Sequence, residues 1–136
     1  MLEFIIKYRR RILYIPLVLY WIVLFIATSL PGPDVPDLGV SDKFEHFSAY
    51  CVLGFFLNLT LKFQNRFKWL KNKAAEAAFT IAVVYAALDE LHQLLIPSRD
   101  CDIKDWIADS IGVLIGLLIV YVGTKIYKSH LKKMTS

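Results

Sequence analysis

Two carboxylates set side by side at the end of an apolar run constrain this chain more than anything else in it. Asp89 and Glu90 directly follow Phe79 to Leu88 (FTIAVVYAAL), and a second apolar run, Ile111 to Val122 (IGVLIGLLIVYV), comes soon after. Between the two runs the stretch DELHQLLIPSRDCDIKDWIAD adds Gln93, Pro97, Arg99, Asp102, Asp105 and Asp109. Ionisable groups at membrane depth are costly, so they face a bundle interior or a polar cavity. A fold for this sequence must give these groups such a place.

Hydrophobic residues make up 57% of the 136-residue chain and mean hydropathy is +0.49, which is too apolar for a soluble domain of this size. Four apolar stretches, at about residues 12–30, 44–63, 74–96 and 105–127, are each long enough to cross a hydrocarbon core of ~30 Å at ~1.5 Å per helical residue. The expected fold is therefore an all-α membrane protein, a four-transmembrane-helix bundle forming one domain over residues 1–136. Its external loops are expected at 31–42 and 97–104, and its cytoplasmic loop at 64–73. Charge supplies the orientation. Thirteen of the sixteen Lys and Arg residues precede the first stretch, lie from the end of the second to the start of the third, or lie at the end of the fourth and beyond; Lys43, Arg99 and Lys104 are the exceptions. The positive-inside rule then puts both termini in the cytoplasm, N-in/C-in. The same asymmetry accounts for a pI of about 9.1 and removes nucleic acid as an expected partner.

A cleaved signal peptide competes for the first stretch, with basic residues, an apolar core and Ala27-Thr28-Ser29 as the small-residue site. The length of the apolar run, and Tyr20 and Trp21 within it, favour a retained span. Cys51 falls inside the second span and Cys101 in the last external loop, so they form no disulfide framework, and neither has metal-ligand spacing. Pro31 to Ser41 (PGPDVPDLGVS) reads as loop, with Ser41 or Asp42 to cap the following helix.

On that helix Asp42, His46, Tyr50 and Gly54 recur every four residues and share one face, with Lys43 beside it. On the third span Ala86, Asp89, Glu90, Gln93 and Pro97 fall within about a third of the circumference, and His92 points away. Asp89 precedes Pro97 by eight residues, placing it ~12 Å below the outer end of the helix. Asp105, Asp109, Gly112 and Gly116 form a stripe on the fourth span. Its G-x-x-x-G allows close helix approach, either within the monomer or in a homodimer. The tail beyond Tyr127 is polar, basic and expected to fray. Everything polar on three spans thus collects at the external end.

Three ordered blocks carry a resemblance: Asp42-Lys43-x-x-His46-Phe47-x-x-Tyr50-x-x-x-Gly54, then Asp89-Glu90-x-x-Gln93-x-x-x-Pro97-x-Arg99, then Asp105-x-x-x-Asp109-x-x-Gly112-x-x-x-Gly116. Together they resemble the VanZ-like family of integral membrane proteins over residues 42–116. The resemblance implies a multi-pass protein of a bacterial-type plasma membrane, working in the cell envelope. Through the member that names the family, it also implies a link to low-level teicoplanin resistance. It implies no particular reaction. Many members carry Asn where this chain has Asp109, so a carboxylate is added here.

Six acids at this end, Asp42, Asp89, Glu90, Asp102, Asp105 and Asp109, face only Lys43, Arg99, Lys104 and His46. One reading is a network that ties three helices, although polar links between membrane helices contribute only ~0.6 kcal/mol each on average. The favoured reading is a site that acts on or binds a lipid-linked or amphiphilic envelope component, membrane lipids or lipid-linked precursors being the partners. As an enzyme it would use Asp89 or Glu90 as acid or base with His46, and Lys43 and Arg99 to hold a phosphate. Asp42, Tyr50, Gln93, Asp105 and Asp109 would complete the substrate site. The Asp-Glu pair with one His is compatible with Mg²⁺ or Mn²⁺ without demanding either. No Ser–His–Asp order, H-E-x-x-H or CxxC is present. The alternatives are a small lipid or drug transporter or flippase, with Asp89 and Glu90 as protonatable groups, or a non-catalytic binding or structural membrane protein.

Overall fold

The computed structural model describes residues 2–35 and 39–134; residues 36–38 of the expected first loop lie outside the described residues. Helix α1 (Leu2–Arg9) passes through a π-helical turn (Arg10–Tyr14) into α2 (Ile15–Thr28). Pro16, in the first turn of α2, lacks an N–H and its ring presses on the carbonyl four residues back. The wider π turn takes up that conflict. A 3₁₀ turn (Gly32–Asp34) sits inside the expected loop, and then come α3 (Asp42–Phe63), the short α4 (Lys68–Asn72), α5 (Ala74–Gln93) and α6 (Ile103–Met134).

Ser41, rather than Asp42, caps α3: its Oγ accepts the Phe44 N–H at 3.3 Å. Asp102 caps α6, its Oδ1 accepting the Lys104 N–H and its carbonyl the Asp105 N–H, both at 2.9 Å. The expected frayed tail is instead helical to Met134. No Gly or Pro follows Gly123, and the lysines and Leu131 are good helix formers.

Helix α3 is the centre of the bundle, packed most extensively on α6 and also on α5 and α2. Glycines make the α3–α6 approach possible. A Cβ at Gly112 would run into the Phe47 carbonyl, one at Gly116 into the Cys51 carbonyl, and one at Gly54 would lie 2.9 Å from the Val113 carbonyl. The Gly112-x-x-x-Gly116 face is therefore used within the chain. Helix α5 turns in a stripe of Ala74, Ala78, Ala82 and Ala86, all buried, which continues into Asp89, Glu90 and Gln93. Leu17, Leu24, Tyr50, Leu53, Leu57 and Val113 fill the space between.

The pattern of burial is inverted relative to a soluble protein. Val18, Ile22 and Phe25 of α2, Val84 and Leu88 of α5, and Ile111 and Leu118 of α6 are exposed. Asp89 and Asp109 are only 3% and 0% exposed. Apolar surface on that scale marks contact with lipid or a partner. Two helical stretches, Lys7–Thr28 and Ile103–Met134, are long and apolar enough to cross a membrane. Of the four expected spans these two are distinguished by length and composition. Helices α3 and α5 are diluted by the polar residues they turn inward.

Candidate functional site

The N-termini of α3 and α6 and the C-termini of α2 and α5 meet at one end. The loops there are joined by the Gly32 N–H donating to the Pro97 carbonyl at 3.2 Å. Ser98, with φ 58, turns the chain back so that Arg99 reaches α2. The polar side chains then stack in three layers.

Asp89 lies deepest. Its Oδ1 accepts the Thr28 hydroxyl at 2.8 Å and its Oδ2 the Tyr50 hydroxyl at 3.2 Å, so one carboxyl ties α2, α3 and α5. The middle layer is built on His46. Its Nδ1 is 3.1 Å from Asp109 Oδ1 and 3.9 Å from Glu90 Oε1, and its Nε2 is 3.9 Å from Asp42 Oδ1. Glu90 is steadied by its other oxygen, Oε2, which accepts the Asp102 N–H at 2.9 Å.

The outermost layer is a cage around Lys43. Its Nζ lies 2.8 Å from Asp105, 3.1 Å from Asp102 and 3.5 Å from Asp42. Hydrogen bonds to Asp105 and then Asp102 hold the Lys43 ammonium well above its usual pKa. The Lys104 N–H, and then Lys43, hold the Asp102 carboxyl below its usual range. Lys43, Asp42 and Asp102 are solvated, so their pairing orients the loop and adds little stability, whereas Asp105 beneath them is buried.

Arg99 is engaged elsewhere. Its Nε donates to the Leu30 carbonyl at 3.3 Å and its Nη2 to the Ala27 carbonyl at 3.4 Å, closing the free end of α2. A cavity of about 120 Å³ opens here, lined among others by Asp42, Glu45, His46, Tyr50, Gln93 and Arg99. All ten residues singled out in the sequence, namely Asp42, Lys43, His46, Tyr50, Asp89, Glu90, Gln93, Arg99, Asp105 and Asp109, come to this end of the bundle. The two cations do not converge: Arg99 lines the cavity, whereas Lys43 sits in its cage.

Sequence reasoning missed Thr28 and Glu45. Thr28 is buried against Asp89, yet its neighbours read as a processing site. His92 stands apart from the cluster, 3.1 Å from Ser29 Oγ and stacked on Phe25. Chemically, the arrangement offers a surplus of carboxylates, one imidazole placed among them, and a small cavity of mixed polar and apolar lining.

The family model described as VanZ/LLP1 matches residues 12–124. No curated protein and no solved structure matches the chain significantly. The chain belongs to the VanZ/LLP1 family, and with its two long apolar helices it is a VanZ-like membrane protein.

Proposed function

We propose that this VanZ-like protein crosses the bilayer four times, N-in/C-in, and binds the polar head of a lipid-linked or amphiphilic envelope component at its external end. The observation that carries this reading is the inverted burial. Glu90, Gln93 and Asp105 are buried at this end, Gln93 lining the cavity, while the helices around them turn Leu and Ile outward. Helix α5 supports a span despite its modest hydropathy, because Asp89, Glu90 and Gln93 point inward and Ile81, Val84, Leu88 and Leu91 point out. Trp69, exposed among the lysines of α4, suits a cytoplasmic interface.

Charge narrows the ligand. Lys43 already contacts three carboxylates, so Arg99, which is hydrogen-bonded to two neutral carbonyls and lines the cavity, is the cation left there to face a phosphate, beside Asp42 and Glu45. A head group that also bears an amine, or that arrives with a bound cation, suits the acidic surplus better than a bare phosphate does. An effect on susceptibility to teicoplanin-type glycopeptides is consistent with an amphiphile site of this kind.

Orientation is tested with the chain's own thiols, since Cys101 is exposed in the loop before α6 and Cys51 is half-buried in α3. A membrane-impermeant maleimide applied to intact cells is expected to label the protein, and Cys101→Ser to abolish labelling. Labelling only after permeabilisation would reverse the topology. Ligand binding is tested by native mass spectrometry of wild type and of the Asp42→Asn/Glu45→Gln variant after exposure to an envelope-lipid extract. One head-group class should be retained by wild type and lost from the variant by about tenfold or more, equivalent to ~1.4 kcal/mol. Equal retention would place the ligand elsewhere. A lipid whose mass changes on incubation would reveal catalysis at the same site.

A further inference from the structure

We propose that His46, Glu90 and Asp109 form a binding site for one divalent cation of the Mn²⁺ or Zn²⁺ type. Their donor atoms lie within 4.8 Å of one another. His46 Nδ1 stands 3.1 Å from Asp109 Oδ1 and 3.9 Å from Glu90 Oε1. Ligands at ~2.0–2.2 Å from a metal sit roughly 3–4 Å apart, so small side-chain adjustments complete the site.

A second observation points to a ligand. Glu90 is 4% and Asp109 0% exposed, yet Glu90 Oε1 and Asp109 Oδ2 have no hydrogen-bond partner among the described residues. Buried carboxylate oxygens are costly without a partner, and a cation at the triad supplies one to Glu90 Oε1, the oxygen that faces His46. Glu90 is also held for the purpose: the Asp102 N–H occupies Oε2 and leaves Oε1 turned to His46. Behind the imidazole, Asp42 Oδ1 lies 3.9 Å from Nε2. That distance is beyond a hydrogen bond; Nδ1 donates to Asp109 Oδ1 at 3.1 Å, so metal binding at Nδ1 releases that proton.

The neighbouring group Asp42–His46–Asp105 also brings three donors together, but Asp105 is already 2.8 Å from Lys43 and the Asp42 side chain is 54% exposed. The inner triad is the stronger site. One imidazole with two carboxylates favours first-row cations over Ca²⁺. His46 lines the cavity, which provides the route in, and three protein ligands leave coordination positions for water or a bound head group. The triad does not depend on the lipid reading, since its donors converge whether or not an amphiphile binds above them.

The test is Mn²⁺ titration of the EDTA-stripped full chain in nanodiscs, followed by the spin-resonance signal of free Mn²⁺, with Zn²⁺ as competitor. Wild type is expected to take up one equivalent. Glu90→Gln and Asp109→Asn should each weaken binding by more than the roughly 10–100-fold typical of outer-shell changes, while Asp105→Asn changes it little. Bound Mn²⁺ should show nitrogen hyperfine coupling from His46, a readout that needs no variant. Failure of the wild type to bind either ion, bound Mn²⁺ without nitrogen coupling, or unchanged affinity in both isosteric variants would each overturn the site. Head-group retention by the same stripped protein separates this outcome from failure of the lipid reading.

Discussion

Gly112→Val is expected to destabilise the protein by about 3 kcal/mol or more, whereas Gly123→Val, in the same helix, should change stability by no more than about 0.5 kcal/mol. The contrast follows from what each new side chain meets. At Gly112 the Cβ is driven into the Phe47 carbonyl and lies 3.0 Å from the Cys51 nitrogen. These are backbone atoms of α3, already committed to its helix, so no rotamer change relieves the clash. Overpacking costs about 1–3 kcal/mol when side chains can yield; here a helix must move. Helices α3 and α6 also carry His46 and Asp109, whose 3.1 Å contact does not survive a shift of an ångström. A Cβ at Gly123 meets nothing within 4 Å. Unfolding by SDS titration in bicelles would read the difference. Similar losses at the two positions, or less than about 1 kcal/mol at Gly112, would mean that α3 and α6 are not packed in this way.

The residues that sequence placed well are those whose relation is set by one helix. Asp42, His46, Tyr50 and Gly54 share a face because the helical period requires it. That face is where Tyr50 meets Asp89, His46 meets Asp109 and Gly54 meets α6. The stripe Ala86, Asp89, Glu90 and Gln93 is buried throughout for the same reason. Partner choice across helices was not legible. Lys43 had several acids within plausible reach, and its selection of Asp102 and Asp105 follows from where the second loop lays α6 against α3. Arg99 suggested an anion site from composition alone. Its attachment to the end of α2 depends on the positive φ of Ser98, which no local pattern marks. Of the four spans expected from sequence, two stand out by hydropathy. Hydropathy averages over a whole helix, and the buried acids of α5 lower its mean beside its exposed apolar residues.

Thr28 shows what that averaging hides, and it leads to the second large effect expected. The Thr28→Val/Tyr50→Phe variant should lose about 2–6 kcal/mol, because each change removes one hydroxyl donor and leaves one buried carboxylate oxygen unsatisfied at ~1–3 kcal/mol. Both substitutions nearly preserve shape, so packing contributes little. Asp89 is 3% exposed, and water does not readily replace the missing donors. Adding Asp89→Leu, whose branching matches the carboxyl, should then recover most of the loss, since replacing all partners with apolar groups of similar shape is close to neutral. Unfolding measurements on the single, double and triple variants form the cycle that isolates this coupling. A triple variant as unstable as the double would mean that Asp89 is not held by these two hydroxyls. The recovered triple variant also separates structure from chemistry. If it is stable and still retains the head group and the cation, Asp89 serves to join three helices. If it is stable but has lost either ligand, the carboxyl takes part in binding beneath the cavity.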